Sequence, residues 1–171
     1  MRLNQASDFA LRILMLLASE NDPITIDDVA KRLHLVKSHI MKITAKLAQA
    51  GFVETQRGRN GGILLGRTPD QISVGDVVRL IEADFAIVEC MKAEISACTF
   101  MPQCLLRGVV HNAANAFLAV LDDCTLDQLI ISKSRTPDTI QAVEATCYPA
   151  WLPVLGSHRF SHQAFGERGN S

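Results

Sequence analysis

A mainly helical fold with one small β-hairpin is what this 171-residue sequence predicts, and three observations predict it. Two short stretches of helical apolar spacing are joined by a tight turn near His34–Val36. Two brief apolar runs then flank a tip of glycine, arginine and asparagine, Arg57–Gly62. A long helical stretch follows from Leu105 to about Asp122. Together they describe a winged helix-turn-helix followed by a long dimerisation helix.

Each element has a local cause. Ser7 is the expected N-cap of a first helix reaching about Ser19, with Asp8 in its first turn, where a carboxylate suits the helix dipole. Thr25 and Asp28 form a capping-box pattern, and Ile26, Val29, Ala30 and Leu33 share the face of the second helix. Ile40, Ile43, Thr44 and Leu47 carry the third, about Lys37–Ala50, until Gly51 stops it. Phe52–Gln56 and Ile63–Gly66 read as hairpin strands, the glycines between them permitting positive φ at the tip. Ser73 and Asp76 cap a fourth helix to about Glu82, and Thr125 with Gln128 caps a last short turn.

In the long helix Leu106, Val110, Ala113, Phe117 and Val120 are spaced 4, 3, 4, 3, the seam of a two-stranded coiled coil. The winged domain is too small to cover so long a stripe, so the sequence predicts a homodimer. Cys124 extends the stripe by one step and reads as core. The expected division is therefore a DNA-binding domain over 1–83, a cysteine loop over 84–104, a dimerisation region over 105–132 and a disordered tail over 133–171. The tail has no periodicity, and its His158 and His162 lack a neighbouring acid or thiol.

Charge separates the halves of the chain. The net charge is −1, yet residues 31–67 hold eight Lys and Arg against one acid, Glu54. Such a local excess describes a surface facing phosphates, here double-stranded DNA. In a helix-turn-helix, Lys37, Ser38 and His39 at the start of the third helix would reach base edges, while Lys42 and Lys46 would meet phosphates. Arg57, Arg59 and Asn60 at the hairpin tip would enter the flanking minor groove. A two-fold dimer implies a pseudo-palindromic operator.

The apolar stretch Phe9–Ala18 is interrupted by Arg12 and followed by no small-residue cleavage site, so neither a signal peptide nor a membrane span is expected. The expected location is cytoplasmic, where thiols stay reduced, and five cysteines, an odd number, suit no disulfide scaffold. No phosphate-binding loop, nucleophile elbow or HExxH is present, and no enzyme activity is expected.

Cys90, Cys98 and Cys104 fall within fifteen residues, with seven and five residues between them. The spacing is too wide for a zinc knuckle or a ferredoxin run. Spacing alone leaves packing thiols, a zinc or thiol-only factor, and an iron–sulfur redox or electron-transfer protein open beside a cluster-bearing regulator.

Several phrases resemble the Rrf2 family of transcription regulators: Met1-Arg2-Leu3, Asp8-Phe9-Ala10-Leu11-Arg12, Lys42-Ile43, Leu47, Ala50-Gly51-Phe52-Val53, Arg57-Gly58 with Gly61-Gly62, Ile72 with Asp76-Val77-Val78, and the three cysteines. The resemblance spans roughly residues 1–132, with wing, linker helix and cysteine loop in order. It implies that Cys90, Cys98 and Cys104 ligate an iron–sulfur cluster, 4Fe–4S in preference to 2Fe–2S. Asp8, Asp84-Phe85-Ala86-Ile87-Val88-Glu89-Cys90, the compact Thr99–Cys104 segment and Phe117-Leu118-Ala119-Val120-Leu121 resemble the branch of repressors that sense nitric oxide. That branch implies Asp8 of the partner subunit as fourth ligand, and release of nitric-oxide detoxification genes when nitric oxide destroys the cluster. Regulators of iron–sulfur assembly carry a histidine three residues after the last cysteine, where this chain has Arg107. The iron-responsive branch has similar cysteine spacing and stays open. Two departures stand out: Val36 where the family usually has Ser, and His34 where Gly is common.

Overall fold

The computed structural model describes residues 3–58, 61–91, 100 and 104–130. The expected tail, 133–171, lies outside them. Helix α1, Gln5–Ala18, starts three residues earlier than expected. Asn4 is its cap, accepting from the Ser7 N–H at 2.8 Å. Ser7 is instead fully buried, and its hydroxyl donates to Glu82 Oε1 at 2.7 Å. Both residue types cap helices well, and the long-range bond to Glu82 decides between them.

Helix α2, Ile26–Leu33, begins as expected at Thr25, whose Oγ1 accepts from the Asp28 N–H at 3.2 Å. It ends at His34 in the left-handed region, φ 53°. That conformation explains why glycine suits the position, because an L side chain there is strained by about 1–2 kcal/mol. Helix α3 runs Lys37–Gln49. Its N-cap is Val36, which supplies no side-chain acceptor, and Ser38 does not take over the role.

Strands β1, Val53–Gln56, and β2, Gly62–Leu65, pair antiparallel with Val53 opposite Leu65 and Gln56 opposite Gly62. Ile24 adds an unexpected bridge: its N–H donates to Ile63 O at 2.9 Å and its O accepts from Ile63 N at 2.8 Å. A Cβ on Gly62 would lie 2.6 Å from Ile24 O, so the close approach requires glycine.

Helix α4, Val74–Ile81, is capped by Ser73 as expected. Helix α5, Leu105–Asp122, packs along α4, and the four-residue α6, Leu126–Leu129, returns to the domain. Backbone bonds from Val74 N to Cys124 O and from Leu126 N to Ile72 O, both 2.9 Å, fasten that return. Ile13, Leu14, Ile40, Leu47, Ile72, Val77 and Leu126 form a core of fully buried side chains. Burial of each such side chain contributes about 1.5–3 kcal/mol. Cys124 is buried in a second cluster with Val74 and Val78, a core position as expected.

Candidate nucleic-acid interface and cysteine loop

Helix α3 buries Ile40, Ile43, Thr44 and Leu47 and exposes Lys37, Ser38, His39, Lys42 and Lys46. The residues expected to meet DNA therefore share the solvent side of one helix. The basic excess of residues 31–67 is narrower in practice than in sequence. Lys37 Nζ lies 2.7 Å from Asp27 Oδ1, a contact that lowers the Asp27 pKa by hydrogen bonding and then by charge. Arg32 pairs with Glu20, and Lys31 Nζ lies 3.8 Å from Asp28. Arg67 donates to Ala50 O at 2.8 Å and stacks over the Phe52 ring at 4.7 Å, fixing the turn between α3 and β1. Among the described residues Lys42, Lys46 and Arg57 have no ion pair.

The wing stands where the sequence put it. Arg57 is exposed, and Gly58 adopts φ 118° at the start of the tip. A Cβ on Gly61 would lie 2.5 Å from Gln56 O. Arg59 and Asn60 lie outside the described residues.

Asp8 sits in the first turn of α1, half exposed, and both its oxygens face Arg12: Arg12 Nε donates to Oδ1 at 3.0 Å and Nη2 lies 2.9 Å from Oδ2. The next residue, Phe9, stacks on His39 with ring centroids 6.3 Å apart and planes at 29°. A cleft of about 380 Å³ opens between the two helices, lined by Asn4, Gln5, Phe9, His39, Lys42 and Ile43. His39, expected to read bases, is thus also the contact between α1 and α3.

Of the three clustered cysteines, Cys104 is placed as the N-cap of α5, half-buried, a free thiol that makes no cap bond. Cys90 belongs to the short 3-10 turn Glu89–Met91, which packs against α5. The turn that carries Cys90 and the residue that caps α5, Cys104, are therefore both next to that helix. Cys98 lies outside the described residues. The donor set fits an iron–sulfur cluster, since thiolates are its usual ligands and three of them leave one iron needing another donor. Asp8 is a chemically suitable donor whose present partner is easily displaced, because an exposed i,i+4 pair contributes only about 0.3–0.5 kcal/mol.

Helix α5 shows two faces. Ala114 is buried, with Val110, Phe117, Leu118 and Leu121 half-buried beside it on the side of its own domain. Of the expected seam, Leu106 and Ala113 are exposed, whereas Val110, Phe117 and Val120 are half-buried within the single chain. Leu105, Val109, Asn112, Ala116 and Ala119, one residue away from that seam and spaced identically, are all exposed. Leu105 is 87% exposed and Val109 66%.

The comparisons with known proteins fit this frame. The Rrf2 family pattern, described as "Iron-dependent Transcriptional regulator", matches residues 3–132. The chain belongs to the Rrf2 family. It is 42% identical over 137 residues to the HTH-type transcriptional regulator NsrR of Bacillus licheniformis, covering 79% of this chain and 96% of that one. The NsrR of Bacillus subtilis is 44% identical over 135 residues, covering 78% and 92%. Among solved structures, CymR, the global cysteine regulator of B. subtilis, superposes with a TM-score of 0.61 at 27% identity, covering 75% of this chain and 95% of that one. The chain is therefore an Rrf2 transcription regulator with a winged-helix fold, most similar to NsrR. No described helix is long and apolar enough to cross a membrane.

Sequence reasoning missed Asn4, Asp27, Glu82 and the Arg79–Asp122 pair. None carries a periodic or motif signal and each acts through a partner on another element, Asn4 included, whose competitor Ser7 is an equally good cap by residue type.

Proposed function

We propose that this regulator is a homodimeric repressor that holds an iron–sulfur cluster, 4Fe–4S in preference to 2Fe–2S, on Cys90, Cys98, Cys104 and Asp8 of the partner subunit, and that it senses nitric oxide. The observation that carries the reading is one chain's combination of an exposed basic helix and hairpin with a cysteine, Cys104, capping α5 and a cysteine-bearing turn, Glu89–Met91, packed against the same helix. A helix-turn-helix and wing presenting that basic face suit a DNA duplex, which sets the reading apart from an electron-transfer protein.

Helix α3 enters the major groove with Lys37, Ser38 and His39 at its leading end, and Lys42 and Lys46 meet phosphates. Arg57, Arg59 and Asn60 of the wing enter the minor groove. The exposed stripe of α5, with Leu106 and Ala113 beside it, meets its copy across a two-fold axis, which requires a pseudo-palindromic operator. When bound, the cluster supplies irons open to nitric oxide, the carboxylate-ligated one most so because oxygen is a poorer partner than thiolate there. Asp8 would be the residue that holds that iron, and Arg12, which pairs with it here, would be the partner it gives up.

A second reading, iron supply as the signal, is favoured by the family's description as iron-dependent. Iron content and visible absorption of anaerobically loaded variants test the ligand set. Cys90→Ser, Cys98→Ser and Cys104→Ser should each lose most iron. Asp8→Ala should load, with a shifted spectrum and a more labile cluster. Full iron retention by all three cysteine variants would remove the cluster from the account; an unchanged Asp8→Ala spectrum would strike Asp8 from the ligands and favour the iron-responsive reading.

A further inference from the structure

Glu82 closes α4, with only Ala83 between it and the cysteine loop. Its carboxylate accepts three hydrogen bonds from the other end of the domain. The Asn4 N–H donates to Oε1 at 2.8 Å, Asn4 Nδ2 to Oε2 at 2.8 Å, and the Ser7 hydroxyl to Oε1 at 2.7 Å. Asn4 Oδ1 in turn accepts from the Ser7 N–H at 2.8 Å, so Asn4, Ser7 and Glu82 form a closed ring around the start of α1. A carboxylate is well suited there, because the helix N-terminus carries partial positive charge.

We propose that Glu82 is a positioning residue that couples the cysteine loop to DNA reading, by latching the first turn of α1 to the end of α4. The proposal rests on the sensor reading above. On one side of the latch the chain enters residues 83–104. On the other, the residues next in line are Asp8 and then Phe9, whose ring rests on His39 of α3. A shift of the loop pulls Glu82, Glu82 pulls Asn4 and Ser7, and α1 carries Phe9 against the DNA-reading helix. The open cleft of about 380 Å³ between α1 and α3 leaves room for that first turn to move. A transmitted signal requires a second arrangement beside the closed ring, and breaking the bonds to Glu82 would supply it. Because Asp8 would bind the partner's cluster while Glu82 holds the same turn to its own chain's loop, the latch also ties the two clusters of the dimer together. Coupling is reciprocal in free energy, so operator DNA should raise the protein's affinity for its cluster through the same ring.

A polarity swap tests the latch without removing the helix cap. Asn4→Asp keeps an oxygen for the Ser7 N–H but sets two carboxylates face to face. Glu82→Gln puts an amide donor opposite Asn4 Nδ2. The double variant N4D/E82Q restores one donor and one acceptor with their roles exchanged. Two quantities are read: affinity for a duplex selected from random sequence by the loaded wild type, in loaded and cluster-free forms, and hydrogen exchange at the Ser7, Asp8 and Phe9 amides of the cluster-free protein. Wild type should show a ratio of affinities of ordinary allosteric size, about 5- to 150-fold. Each single variant should bring that ratio towards one and speed exchange at those amides while loading iron normally. The double variant should recover both. Single variants that keep the wild-type ratio and exchange, or a double variant no better than the singles, would overturn the latch. A wild type whose two forms bind alike would contradict the sensor reading instead; exchange would still decide whether the ring holds α1.

Discussion

Arg79 grips Asp122 with both arms of its guanidinium, Nη2 lying 2.6 Å from Oδ2 and Nη1 facing Oδ1, and so fixes α4 to the last turn of α5. The hydrogen bond from Arg79 holds the Asp122 carboxyl below the usual carboxylate range. A depressed folded-state pKa contributes stability above the ordinary carboxylate pKa, and that stability is lost as pH falls through the lower folded value. Both side chains are about two-fifths exposed, so the contribution is at most about 1 kcal/mol. Asp122→Asn should lower the denaturation midpoint at pH 6 and converge with wild type near pH 2. A constant gap across that range would show that the pair's charge is irrelevant. A Cβ at Gly75 would collide with Asp122 Oδ1, so Gly75→Ala should destabilise through the same pair.

Lys37 is held by Asp27 in the free protein although it leads the DNA-reading helix. Asp27→Asn should release it and remove a negative charge beside the interface. Affinity for duplex DNA should rise a few-fold at low salt, and the gain should shrink as salt screens it. Affinity that stays unchanged or falls would place Lys37 outside the interface.

The exposed stripe of α5 is the face by which the proposed dimer would pair. Val109→Asp puts a charge where the single chain makes no use of the side chain, so the fold should survive while light scattering reports a monomer. A folded Val109→Asp dimer would move the interface elsewhere.

Two local faults precede α3. Val36→Ser should supply the missing N-cap and stabilise the protein by about 1 kcal/mol. His34→Gly should relieve a left-handed residue and stabilise by about 1 kcal/mol. Chemical denaturation measures both, and an unchanged midpoint for either would mean that the neighbouring turn already compensates.

What could be read from the sequence was what local chemistry decides. Thr25, Ser73 and Gly51 mark helix ends through their own backbone neighbourhoods, and these were legible. Asn4 against Ser7 was not, since both cap well and the choice was made by Glu82, 78 residues from Asn4. The Ile24 bridge was equally hidden, because it depends on how α2 and the wing meet. The seam of α5 shows the limit of periodicity. Leu105, Val109, Asn112, Ala116 and Ala119 repeat with the same spacing as Leu106, Val110, Ala113, Phe117 and Val120, so spacing by itself does not choose between the two faces.

The central claim is that nitric oxide removes the protein from DNA by way of a cluster on the three thiols. Stepwise nitric oxide should be added anaerobically to the loaded protein on its selected duplex, with visible absorption, native mass and DNA occupancy followed together. The account predicts a brown dimer carrying one cluster per chain, with absorbance, cluster mass and occupancy falling in parallel. Occupancy that persists after the cluster has been destroyed would contradict it, as would a colourless protein that binds the duplex just as tightly.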